Sequence, residues 1–362
     1  MGFRDYYRRF EDLDPLELNR ALRERRHEER RRALERVPDL DLSGTEWPDL
    51  PHSEIVNAAI ARARGRVNGY PDRYASGARR LLADRHGVAP EQIALGNGAA
   101  ELLQSAAMAL LNRGDELLMP WPSYPLYPLM AAHACARPVA VDRAALLDSV
   151  TPRTRAVVIC NPNDPTGEHV TREELGELIT ALPDGVHVLL DEALVHFQDV
   201  EPVDACLRLV DAFPRLLVVR TFSKVYGLSG LRAGYAVSSD TKLLAAIAPV
   251  LGVNALSQAA VEHALRTGDA EIERRRGAVA RERARLLDGL REMAIDAAPS
   301  QANFIWLAAD GITGALLAQR LRDQGVIVAP GGPLGADDHV RATVRDEAAT
   351  DRLVRALEIA LG

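Results

Sequence analysis

Cysteine is scarce in this 362-residue chain: Cys135, Cys160 and Cys206 are odd in number and widely spaced. Such a set offers neither a disulfide framework nor the paired spacing of a zinc site, and it fits a reducing compartment such as the cytoplasm. No stretch approaches the ~20 consecutive apolar residues that a membrane-spanning helix needs. The opening Met1-Gly2-Phe3-Arg4-Asp5 also lacks the apolar core of a secretion signal. The expectation is a soluble, cytoplasmic protein without a membrane partner. Aromatics contribute only 5% of residues, which leaves alanine, leucine and valine to fill the core. Positive charge is not in excess either, and the net charge of −7 argues against a nucleic-acid partner. No internal repeat or low-complexity segment is evident.

What is present is a long, apolar chain, 47% hydrophobic, sufficient for about two domains at ~100 to 200 residues each. Short apolar runs at 93–95, 116–119, 156–160, 186–190 and 216–219 read as strands, and helical patterns alternate with them. That alternation predicts a largely parallel α/β sheet. Residues 14–36 read as a charged helix whose arginines and glutamates balance into a solvated face with i,i+4 pairs. A long helical run is expected from Val253 to about Leu290. Strands at 299–306 and 340–344 then suggest a smaller α+β unit. The expected division is an arm and part of the small domain over 1–49, a large domain over 50–265, and a small domain over 266–362.

One stretch organises the rest: Thr221-Phe222-Ser223-Lys224-Val225-Tyr226-Gly227-Leu228-Ser229-Gly230-Leu231-Arg232-Ala233-Gly234-Tyr235. A buried strand delivers hydroxyls and a lysine into a loop, with an arginine eight positions later. Apolar surroundings disfavour an ammonium ion, and a neutral amine can form a Schiff base with a carbonyl compound. Arg232 offers a planar fork suited to phosphate, with Thr221 and Ser223 as further donors. A carbonyl and a phosphate on one small molecule describe pyridoxal 5'-phosphate. A surface lysine in an ordinary strand-to-loop turn has the same local pattern, and these residues alone leave both readings open.

The segment resembles the lysine motif of class I/II aminotransferases of the aspartate aminotransferase fold, especially the histidinol-phosphate aminotransferase-like branch, and the likeness runs from about Tyr70 to the end. The resemblance implies fold type I of the pyridoxal-phosphate-dependent enzymes, with a mainly parallel seven-stranded sheet in the large domain. It also implies a homodimer, because Tyr70 in Tyr70-Pro71-Asp72 corresponds to a tyrosine that reaches the partner subunit's cofactor phosphate. Gly98, Ala99 and Ala100, in Gly96-Asn97-Gly98-Ala99-Ala100-Glu101, match the phosphate-binding turn, where backbone N–H groups and the helix dipole hold the anion. Tyr124 matches a ring stacked on the pyridine face, while Tyr127 reads as core. Asp191, in Asp191-Glu192-Ala193-Leu194, matches the acid that keeps the pyridine nitrogen protonated. Arg341 matches the arginine that clamps the substrate α-carboxylate, and Asn303 is a candidate for the same carboxylate.

Four departures stand out. The segment Ser43-Gly44-Thr45-Glu46-Trp47-Pro48 replaces an N-E-N-P type element. Ala329 replaces the arginine that helps histidinol-phosphate enzymes bind substrate phosphate. In Asn161-Pro162-Asn163-Asp164-Pro165-Thr166-Gly167, with Asn163 also a candidate cofactor contact, Asp164 replaces an asparagine that donates to the cofactor's phenolic oxygen. Leu194 replaces a tyrosine. The implied activity is transfer of an amino group from an L-amino acid to a 2-oxo acid, with Lys224, Asp191 and Tyr124 catalytic. The alternatives are a decarboxylase of the threonine-phosphate type, whose G-N-G-A-x-E-L turn is close to this one, or a biosynthetic cyclase or eliminase.

Losing two donors to a phenolate should hold a neighbouring imine proton more tightly. Titrating the visible absorbance of the cofactor-loaded protein should therefore give a lower midpoint for Asp164→Asn and for Leu194→Tyr than for the parent. An unmoved midpoint in both contradicts this.

Overall fold

The computed structural model describes residues 20, 23–28, 37–65 and 68–361. Most of the expected 14–36 helix lies outside the described residues, although 23–28 are helical and Arg20 pairs with Glu24 at 3.2 Å, an exposed i,i+4 contact.

Seven strands form the main sheet: β2 (Ile93–Gly96), β3 (Glu116–Pro120), β4 (Arg137–Val141), β5 (Thr154–Cys160), β6 (His187–Asp191), β7 (Leu216–Thr221) and β8 (Gly234–Val237). Their spatial order is β2-β8-β7-β6-β5-β3-β4, parallel except for β8, which runs antiparallel to both neighbours. Continuous apolar runs such as Leu216-Leu217-Val218-Val219 suit strands covered on both faces. Alternate residues supply the two cores: Leu216 and Val218 pack into one cluster, Leu217 and Val219 into the other. Helix α1 (Ala99–Leu110) covers the second face through Leu102, Leu103 and Ala106. Each such leucine contributes roughly 1.5–3 kcal/mol on burial.

A second layer follows. Strands β9 (Ile295–Ala297), β10 (Phe304–Ala309), β12 (Ala329–Pro330) and β13 (His339–Thr343) form an antiparallel sheet in the order β12-β13-β10-β9. The chain reaches it through α2 (Ala255–Thr267) and α3 (Asp269–Leu290). The single helix expected over 253–290 is thus two. The break falls at Gly268, where an added Cβ would stand 2.5 Å from the Ala264 carbonyl oxygen.

One connection is decisive for the site. Strand β1 (Leu40–Asp41) pairs in parallel with β11 (Val326–Ile327), and Leu42 is buried in the second layer's core. Leu42 N–H donates to the Ile327 carbonyl at 2.7 Å, and the Leu42 carbonyl accepts from Thr343 at 2.9 Å. Residues 43–46 are thereby carried to the carboxyl ends of β5, β6 and β7, where ligands bind in open parallel sheets. Among the described residues no helix is long and apolar enough to cross a membrane.

Candidate active site

A cavity of about 240 Å³ opens at those strand ends. One end of it is built by the N-terminus of α1. Gly98 caps that helix at φ +93° without a side-chain cap, which leaves the first-turn N–H groups of Ala99 and Ala100, both lining the cavity, available to a ligand. The φ of +93° requires glycine at position 98, and a Cβ there would also push the Arg232 guanidinium out of its place. Gly98's own N–H is bonded to the Gly96 carbonyl at 2.8 Å, which removes it as an anion donor. Thr221 donates to the Ser223 hydroxyl at 2.9 Å, and Arg232 Nη1 reaches Ser223 at 3.4 Å and the Ser229 carbonyl at 3.0 Å.

Lys224 lies in the same cavity, and its Nζ donates to the Thr45 hydroxyl. Burial lowers the amine below the ordinary lysine pKa, and Arg341 adds to the fall, while Asp164, Glu46 and Asp191 oppose it. Asp191, at the end of β6, is 4% exposed. Its Oδ2 accepts from the Tyr127 hydroxyl at 2.9 Å and its Oδ1 from the Ala193 N–H at 3.1 Å. Desolvation nonetheless pushes it up to about 6, against those two bonds and the Lys224 charge.

Tyr124, Asp164, Thr221, Ser223 and Arg232 line this cavity with Lys224 and Asp191, as does Leu194. Other candidates are placed elsewhere. The Asn163 amide is engaged with Ser123, Pro122 and Thr166 and lines an adjoining cavity, because the loop uses it to hold its own turn. Asn303 donates to the Thr45 carbonyl at 3.0 Å, which anchors the Thr45 segment, and its Oδ1 is buried without a partner. Tyr70 is 86% exposed and borders a separate groove beside α2, away from its own chain's lysine. Arg341 does not stand open: its Nη1 lies 2.5 Å from Asp164 Oδ1. Tyr127 is core, as expected, yet its hydroxyl also serves Asp191.

The chain resembles known proteins along most of its length. The family profile described as "Aminotransferase class I and II" matches residues 38–357. An aromatic amino acid aminotransferase from Corynebacterium efficiens is 38% identical, covering 88% of this chain and 92% of that protein. Histidinol-phosphate aminotransferase 2 from Carboxydothermus hydrogenoformans is 36% identical over 85% and 88%. The Sinorhizobium meliloti histidinol-phosphate aminotransferase, solved in complex with pyridoxal 5'-phosphate, superposes with a TM-score of 0.79 at 26% identity, covering 92% and 94%. The chain belongs to the class I and II aminotransferases.

In this aminotransferase the sequence carries two further signals. The chain contains two lysines, Lys224 and Lys242, and the second is exposed, so the amine-bearing position is identifiable by elimination. Tyr127 follows closely on β3 and packs into the same cluster, near enough for local reasoning to weigh a hydroxyl role. Thr45 leaves no such local signal, because its partners lie in remote segments.

Asp191 has a folded-state value of about 6 against an ordinary 3.8, so the fold binds its proton more tightly than the unfolded chain does. Stability should therefore fall as pH rises from about 4 to 6, by up to ~3 kcal/mol. Measured without cofactor, the parent should lose stability relative to Asp191→Asn across that window. Parallel pH profiles contradict the assignment.

Proposed function

We propose that this aminotransferase uses pyridoxal 5'-phosphate and takes an aromatic L-amino acid as donor with a 2-oxo acid as acceptor. One observation carries the cofactor: a desolvated lysine shares a cavity with an open helix N-terminus and arginine at one end and a buried acid at another. Those groups fit an aldehyde, a dianionic phosphate and a basic ring nitrogen. When bound, the cofactor supplies a carbonyl for the donor's amine and a ring that accepts electrons from the donor's Cα.

Each side chain then has a task. Ala99, Ala100, Thr221, Ser223 and Arg232 hold the phosphate. Asp191, ionised at neutral pH, pairs with the ring nitrogen and keeps it protonated. Tyr124 covers one ring face and excludes water. The Lys224 amine removes the proton from the donor's Cα and can return it elsewhere. Thr45 orients that amine. Arg341 takes the α-carboxylate, and Asn303 positions the Thr45 segment beside it. The donor leaves as a 2-oxo acid, two electrons poorer, and the acceptor leaves as an amino acid, so the two halves balance.

The aromatic donor is supported by the aromatic amino acid aminotransferases among the relatives. Ala329, directly across from Arg341 in the β12–β13 register, also brings no charge to meet a side-chain phosphate. A homodimer is supported by exposed apolar surface: Tyr70, Tyr74, Val250 and Leu251 are exposed, and Gly252 packs on the Arg73 backbone.

Borohydride treatment of the loaded protein should label the peptide containing Lys224 and spare that containing Lys242. Phenylalanine and tyrosine should exceed histidinol phosphate and aspartate at least tenfold in kcat/KM, and Lys224→Ala should lose roughly 10²–10⁴-fold. An unlabelled Lys224 peptide overturns the cofactor reading, and equal or better turnover of histidinol phosphate overturns the donor. Sedimentation should give twice the 39.4 kDa chain mass.

A further inference from the structure

The arginine assigned to the substrate carboxylate already holds a carboxylate of its own chain. Arg341 Nη1 donates to Asp164 Oδ1 at 2.5 Å and Nη2 to the Ser43 carbonyl at 2.9 Å. The guanidinium carbon lies 5.3 Å from the centre of the Phe304 ring, and Nε is buried without a partner. The two side chains are 10% and 9% exposed, so water screens their attraction little. Asp164 is itself fixed: its N–H donates to Cys160 Sγ at 3.4 Å, and Pro165 follows it. The pair joins the loop after β5 to β13; Asp164 lines the cavity that contains Lys224, and Arg341 stands behind it, close enough for its charge to act on that amine.

An incoming carboxylate therefore meets a neutralised arginine with a second carboxylate at contact distance. It must displace Asp164 from Nη1 or share the fork with a like charge, and both weaken its binding. An uncharged side chain of the same shape would leave the cation available while still hydrogen-bonding to it.

We propose that Asp164 is a specificity-determining residue that competes with the substrate carboxylate for Arg341. Entry is an exchange of one carboxylate for another, with no covalent change. A ligand that brings only a carboxylate gains little. A 2-amino or 2-oxo acid, which adds a contact at Lys224 and the cofactor, offsets the broken pair. The clamp thus rejects amine-free acids that share the substrate's side chain. This inference rests on the reading of Arg341 as the carboxylate site.

The test uses the cofactor-loaded enzyme and 3-phenylpropanoate, an aromatic acid without an amine, with binding measured by calorimetry. Asp164→Asn should lower its dissociation constant at least tenfold. Asp164→Ser, also uncharged, should act in the same direction and guards against a variant that folds poorly. The gain should vanish when Arg341→Gln is added to Asp164→Asn, which places the competition on that guanidinium. If both Asp164 variants bind like the parent while Arg341→Gln weakens binding, the clamp stands and the competition is overturned. The competition is likewise overturned if the Asp164 variants lose only thermal stability, the result expected of a purely structural tie. If Arg341→Gln alters binding in no background, the carboxylate clamp itself fails, and the inference with it.

Discussion

Lys224 sits where burial disfavours its ammonium form, while three carboxylates, Asp164, Glu46 and Asp191, favour it. That opposition constrains the surrounding structure. For the proposed reaction with a carbonyl the amine needs a substantial neutral fraction, yet a lysine without charged neighbours would not be held in one place in an apolar cavity. The Thr45 hydroxyl provides the missing direction, and the acids limit how far desolvation can lower the pKa. The sheet makes this arrangement possible because its central strands are apolar through their middles and place Asp191 and Thr221 at the carboxyl ends of β6 and β7.

Behind the cavity, a buried ion-pair network fixes those ends. Arg220, 1% exposed, precedes Thr221 on β7 and donates to Glu192, next to Asp191, at 2.7 Å and to Asp204 at 2.6 Å. A third bond runs to the Val203 carbonyl at 2.7 Å. A buried pair of this kind adds little net stability compared with apolar packing, but removing one partner strands a charge. Its effect is to fix the register of the two strands that deliver the lysine loop and the acid. The polar surroundings of Lys224 and Asp191 thus rest on a rigid base, which suits a site whose groups must be oriented before the ligand arrives.

Local chemistry explains what could be read from the sequence. Lys224, Arg232 and Asp191 lie next to apolar strands, in segments whose glycines and hydroxyls mark them as loops at strand ends, and the structure brings all three to one cavity. Strands β2, β3, β5, β6 and β7 were legible because both their faces are covered, which turns each into an apolar run. Strand β4 lies at the sheet's edge, partly exposed, and its short Val139-Ala140-Val141 run follows Arg137-Pro138, which reads as a break. What was not legible depends on contacts between distant segments. Asn303 and Thr45 are 258 positions apart, and Arg341 and Ser43 are 298 apart. Residues 43–48 stand out in the sequence only as a turn-rich departure from the resembled family's N-E-N-P type element, because nothing within that stretch encodes the strands that pin it. The split of the 253–290 helix is hidden for a different reason. Gly268 is compatible with a helix interior at modest cost, and only the close approach of the Ala264 carbonyl identifies it as an end.

Asp164 shows how one substitution spreads through such a site. In an apolar cavity a new carboxylate raises the proton affinity of a neighbouring acid, and its charge does contribute to the upward shift of Asp191. Unpaired, it would push Asp191 further toward its neutral form and weaken its hold on a cationic ring nitrogen. Pairing with Arg341 draws that charge toward β13, so Asp191 can remain ionised at neutral pH despite its burial. The same pairing removes the arginine's availability to ligands. Under the proposed assignment of Asp191 to the cofactor and Arg341 to the substrate, preserving the acid and leaving the cation open are therefore competing demands on one carboxylate, and the bond between Asp164 and Arg341 favours the acid until a substrate arrives.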